Sequence, residues 1–182
     1  MNFIATALQG LFVAEPIVFK DNRGYFMESF RLDVWEAAVG PVRFIQENES
    51  YSVQGVLRGL HFQIPPYGQS KLVRVVCGAI RDVVVDMRPE SPTFGQHHVE
   101  MLDEVNKRQL FVPSGFAHGF LTLSPQAIVQ YKVDAPYVPA AERTLRYDDA
   151  TLQIDWAAPP PFILSHKDRY ALSWDEAVHV VL

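Results

Sequence analysis

Cysteine is nearly absent. Cys77 is the only one in 182 residues, which excludes an intramolecular disulfide framework and any cysteine-rich zinc site. Positive charge is also in short supply. Lys and Arg total 16 against 21 Asp and Glu, a net charge of −5, so no broad basic surface is available for nucleic acid or an anionic membrane. No apolar run approaches the roughly 18 residues of a membrane-spanning helix. The longest apolar region, Val73 to Met87, is interrupted by Arg74, Arg81, Asp82 and Asp86. The first ten residues, MNFIATALQG, lack the basic start of a secretory signal. There is no internal repeat and no low-complexity tract. Neither G-x-G-x-x-G nor a P-loop occurs, so a nucleotide would have to be held by side chains. These absences lead us to expect a cytoplasmic chain that binds neither nucleic acid nor membrane.

What remains is a core-forming composition, 48% hydrophobic with 12 Phe, of a length that suits one domain over residues 1–182. Pro (13) outnumbers Gly (10), which favours many turns over long helices. Strands are expected at 25–30, 43–50, 56–63, 72–76, 79–87, 99–102, 109–112, 116–123 and 127–133. Two helices are expected, Leu32 to Val39, closed by Gly40 and Pro41, and a short one near Trp174 to Val180. Strands this short and closely spaced, without the repeated amphipathic helices of a parallel α/β fold, predict an all-β sandwich, jelly roll or barrel. Gly59, inside the strand 56–63, suggests a bulge or a close approach of another backbone.

Four clusters could carry chemistry. They are Leu57-Arg58-Gly59-Leu60-His61-Phe62-Gln63, Pro113-Ser114-Gly115-Phe116-Ala117-His118-Gly119-Phe120, Tyr131-Lys132 and Ser165-His166-Lys167-Asp168. The first two nearly spell the metal site of a small β-barrel. However, Gln63 stands where a second histidine of His-x-His would be needed, and an amide with one or two imidazoles holds a transition metal poorly. Without a metal, His61 is best read as a general base, since imidazole titrates near neutral pH. Arg58 beside it supports a site, because two polar side chains in one apolar strand are costly. By position alone Tyr131 reads as a packed aromatic, Lys167-Asp168 as a solvated charge pair and Cys77 as a buried small hydrophobe. His97 and His98 flank a loop and need no functional reading.

These clusters, in this order, resemble the dTDP-4-dehydrorhamnose 3,5-epimerase family. The resemblance spans about Phe12 to Tyr170. It is carried by Asp21-Asn22-Arg23-Gly24-Tyr25-Phe26-Met27-Glu28, Gln46-Glu47-Asn48-Glu49-Ser50, Gly55 to Gln63, Lys71 to Val76, Asp86 to Gly95, Arg108 to Phe120, Tyr131-Lys132 and Ser165 to Asp168. It departs from the pattern in Phe62, where Tyr is usual, in Gln69-Ser70 before Lys71, and in His97-His98-Val99-Glu100.

The resemblance implies a cupin-type jelly roll (a double-stranded β-helix) with a few short helices, a homodimer, and an isomerase that works without metal or other cofactor. The substrate implied is a nucleoside-diphosphate 4-keto-6-deoxy sugar, dTDP-linked, epimerised at C3 and C5. The family's base falls on His61 with Asp168 holding it, the acid on Tyr131, and an enolate-stabilising cation on Lys71. Binding positions fall on Arg23, Phe26, Glu28, Gln46, Asn48, Arg58, His118, Glu142 and Lys167. Inversion at one centre only, 3,4-ketoisomerisation, a metal-dependent cupin reaction and a non-catalytic sugar-binding role stand as alternatives.

Overall fold

The computed structural model describes residues 1–181. The described residues form thirteen strands and three short helices, with one 3-10 turn at Pro139–Ala141. Six strands make one antiparallel sheet. They are β1 (Asn2–Ala5), β2 (Phe12–Glu15), β10 (Gln109–Val112), β7 (Lys71–Cys77), β12 (Gln126–Val133) and β5 (Gln46–Val53), in that spatial order. Five make the second, in the order β13 (Glu142–Thr144), β6 (Leu57–Gln63), β11 (Phe116–Thr122), β8 (Ala79–Asp86) and β9 (His97–Asp103). A separate hairpin joins β3 (Val18–Asp21) to β4 (Gly24–Met27). The expected all-β jelly roll is what forms.

The two sheets enclose a core built from both, including Val73, Val75, Leu110 and Val129 from the first and Ile80, Val84, Phe116 and Phe120 from the second. Their outer faces are covered as well. Helix α1 (Leu32–Val39) lays Trp35 against Ala14, Leu72 and Phe111 of the first sheet. The C-terminal segment packs Leu145, Leu152, Trp156 and Ala177, the last in helix α3 (Trp174–Val181), on the second. Central strands β8 and β11 are therefore buried on both faces. That is why they read as nearly continuous apolar runs rather than as alternating ones.

The strands expected from sequence all form, within a few residues of the boundaries read there, except at 25–30. There the strand stops at Met27, and the predicted common face of Phe26, Glu28 and Phe30 is not kept. Phe30 turns inward to stack on Trp35 while Phe26 stays exposed. Strands β1 and β2 gave no alternation signal, because four residues hold only two periods. Cys77 is only half-buried, at the end of β7 rather than inside the core.

Gly59 is a point of close approach. Its φ is +126°, and a Cβ there would stand 2.5 Å from the Gly119 Cα. Two glycines facing each other let β6 and β11 draw together where their register shifts, between His118 and Phe120. Directly beside this shift His61 and His118 are cross-strand partners.

Candidate active site

A cavity of about 730 Å³ opens beside the enclosed core. It gathers side chains from both sheets: Gln46, Asn48, Lys71 and Tyr131 from the six-stranded sheet, and Arg58, His61, His118 and Glu142 from the five-stranded one. Lys167 and Asp168, on the short helix α2 (His166–Arg169), complete the wall. Ten of the thirteen residues singled out from sequence thus line a single space.

His61 and Asp168 are joined directly, with Nε2 2.6 Å from the carboxylate Oδ1. Asp168 is no solvated charge: its side chain is 2% exposed. Ser165 explains how it is held. The Ser165 hydroxyl caps α2 by accepting from the Asp168 amide and donates to Oδ2 at 2.7 Å. The sequence Ser165-His166-Lys167-Asp168 is a helix-start pattern, a serine followed three residues later by an acid. Burial works against ionisation of Asp168, but the His61 and Ser165 hydrogen bonds outweigh it and hold the carboxyl below its ordinary range. With Nε2–H donated to Asp168, the lone pair of His61 lies on Nδ1. Burial pulls the imidazole below its usual 6.5. The Asp168 bond opposes that shift, and the Lys167 and Lys71 charges add to it. At neutral pH His61 is an uncharged base.

Tyr131 packs partly against the core and partly lines the cavity, so both readings of it hold in one residue. It stands on β12 of the six-stranded sheet, across from His61 on β6 of the other. Burial raises its phenol above the usual 10, with Arg58 opposing and Glu142 adding to the shift, so it keeps its proton. The side chain of Lys71, first residue of β7, makes no ion pair or hydrogen bond among the described residues. Burial lowers its ammonium to about 8, against the opposing charges of Asp82 and Glu142. Glu142 accepts from Lys167 at 2.7 Å and from the Tyr137 hydroxyl at 2.9 Å. Arg58 donates Nε to Ser52 Oγ and Nη2 to the Tyr51 carbonyl, both at 3.0 Å. Gln46 donates to Asn48 at 2.7 Å.

Gln63, two residues from His61, does not join them. Its amide spans Tyr67, Pro136 and Val138 and ties two loops to the end of β6. The cavity also takes in Gln69, Tyr137 and Ser165, none of which has a role assigned from sequence, although Ser165 opens one of the four clusters. Only Ser165 left a signal, in its capping pattern.

The chain is similar to known proteins in both sequence and fold. The family model described as dTDP-4-dehydrorhamnose 3,5-epimerase matches residues 5–176. This chain belongs to the dTDP-4-dehydrorhamnose 3,5-epimerase family. Like-named epimerases include one from Shigella flexneri, 49% identical over 169 residues (92% of this chain and 93% of that one). Another, from Escherichia coli K12, is 45% identical over 183 residues (100% and 99%). Among solved structures, the 3,5-epimerase RmlC of Legionella pneumophila in complex with dTDP-4-keto-L-rhamnose superposes with a TM-score of 0.90. It is 45% identical, covering 93% of this chain and 90% of that one.

Three of the positions that the family resemblance assigns to binding lie elsewhere. Arg23 and Phe26 line a separate hollow on the β3–β4 hairpin, together with Phe19, Lys20, Asp21, Gly24 and Tyr25. Arg23 is 86% exposed and pairs with its near neighbour Asp21 at 2.6 Å. Glu28, just past the hairpin, sits 3.6 Å from Arg31. No helix among the described residues is long and apolar enough to cross a membrane.

Proposed function

We propose that this chain epimerises C3 and C5 of a dTDP-linked 4-keto-6-deoxy sugar by moving protons alone. One observation carries the reading: a neutral His–Asp base and a protonated tyrosine face each other from opposite sheets across one cavity that also holds an unpaired lysine. The C4 ketone acidifies the hydrogens on C3 and C5. His61 Nδ1 removes one, Asp168 steadies the imidazolium that results, and the charge moves to the ketone oxygen. The Lys71 ammonium is the donor for that oxyanion. Tyr131 then returns a proton to the carbon from the opposite face, inverting it, and Arg58 eases the phenolate left behind. Exchange with solvent restores both groups before the second centre reacts. Gln46, Asn48, His118, Glu142 and Lys167 bind the substrate around this centre.

Deuterated water tests this directly. Incubation with dTDP-4-dehydro-6-deoxy-D-glucose should place deuterium at both C3 and C5. Label at one carbon reduces the reading to a single-centre epimerase, and label at neither rejects it. Turnover should survive exhaustive chelation; loss on chelation, restored by one metal, would turn the reading towards a metal-dependent cupin reaction.

Arg23, Phe26 and Glu28, which the family resemblance assigns to binding, do not line the cavity of their own chain; a second copy's hairpin would bring them to it. Phe19 (62% exposed) and Phe26 (69%) crowd the exposed hairpin, an apolar patch that association would cover. The working form is therefore a homodimer in which each hairpin serves the other copy. Sedimentation equilibrium at micromolar concentration should return twice the chain mass; a monomer with full activity would reject this.

A further inference from the structure

The wall of the cavity holds a second His–Asp pair. His118 Nε2 lies 2.8 and 2.9 Å from the two carboxylate oxygens of Asp82. Asp82 is fully buried on β8 and lies behind the cavity lining, on the interior face it shares with Ile80 and Val84. His118 does line the cavity, and it is the direct cross-strand partner of His61. A row of four side chains therefore crosses α2, β6, β11 and β8: Asp168, His61, His118, Asp82. The two pairs are built alike. In each a buried carboxylate lies against Nε2, and in each Nδ1 makes no hydrogen bond among the described residues.

We propose that Asp82 is a positioning residue that holds His118 as a hydrogen-bond acceptor towards the sugar of the substrate. The proposal rests on the epimerase reading above. A bare Nδ1 cannot donate to a phosphate oxygen, but it accepts from a sugar hydroxyl, and a rigid acceptor orients the ring over His61. A misplacement of about 1 Å at such a contact can cost on the order of 10²-fold in rate. A buried carboxylate is an expensive way to fill a core position that a valine would occupy without cost, which argues against a merely structural role. Asp82 has a second effect on the same site. It is the largest of the charges that oppose the burial of Lys71; Glu142 on β13 acts in the same sense and Lys167 on α2 against it, with His61 and Tyr131 on the neighbouring walls.

The test begins with wild-type turnover and deuterium uptake, which stand or fall with the epimerase reading alone. Asp82→Asn keeps the shape and removes the charge. Its kcat/KM should fall by about 10–100-fold, in keeping with the cost of misplacing a contact, while deuterium still enters both carbons. The alkaline limb of its pH profile should move to lower pH. At pH 6.5, where Lys71 stays charged with or without Asp82, Asp82→Asn/His118→Asn should be no slower than His118→Asn alone, because there Asp82 acts through His118. Additive losses at that pH would overturn the proposal. Wild-type protein labelled with 15N-histidine decides it even if Asp82→Asn does not fold. The His118 ring should carry its proton on Nε2 with Nδ1 bare, and a proton on Nδ1 would rule the role out.

Discussion

His61→Ala should abolish turnover almost completely, lowering kcat by at least about 10²–10⁴-fold, the usual contribution of a positioned general base. Binding should be nearly intact, since Gln46, Asn48, Arg58 and Lys167 remain. dTDP affinity within a few-fold of wild type, together with no deuterium at either carbon, would establish the base role. Residual exchange at C3 or C5 near the wild-type rate would remove it. Asp168→Asn refines the same point. The Asp168 bond is what raises the His61 imidazole against its burial. Without the carboxylate charge, the acid limb of kcat/KM, which should already lie below pH 6.5, moves lower still. The rate at the plateau falls because the ring loses its fixed tautomer. A limb that moved upward would mean that Asp168 does not stabilise the charged ring.

The second large effect belongs to Lys71. Removing one oxyanion donor costs about 10²–10³-fold in kcat, and Lys71→Met should fall in that range. The pH profile identifies the cause. The ammonium lies near 8 because of burial, so kcat/KM of the wild type should decline as pH rises through about 8. Tyr131, held above 10, does not titrate in that window. Lys71→Arg keeps a cation at all accessible pH values, so its alkaline limb should disappear up to about pH 10, whatever its absolute rate. If the limb stays near 8 in Lys71→Arg, another group is responsible and the enolate role of Lys71 fails.

Different parts of this site were legible to different degrees. His61 and Arg58 stood out because polar side chains inside an apolar strand are costly, and the strand itself could be read from alternation. Tyr131 could not be separated from a packed aromatic, since a strand residue that faces a core and one that faces a cavity in that core follow the same pattern. Asp168 looked like a surface charge because its burial depends on β6, more than a hundred residues away in the chain. Asp82 registered only as an interruption of an apolar run, and its partner lies three strands further along the chain. Arg23, Phe26 and Glu28 were assigned by family resemblance alone, and the fold of one chain keeps them outside its own cavity.

By itself the sequence determined the class of fold and the kind of chemistry. A single cysteine, a slight acidic excess, no long apolar run and nine short strand-like segments are composition and local pattern, and those need no partner to be read. The absence of a second histidine at Gln63 belongs with them, pointing the chemistry to ordinary acid and base side chains. Only the tertiary structure decided which groups meet. Sheet order sets β6 beside β11 and places β12 across the cavity, register puts His61 opposite His118, and the Ser165 cap turns Asp168 inward. Those are properties of pairing between distant strands, which no local period encodes. The slight acidic excess, which excludes a broad basic surface, is therefore no obstacle to an anionic ligand. The fold concentrates Arg58, Lys71 and Lys167 in one cavity and sets the compensating carboxylates, Asp82, Glu142 and Asp168, against them.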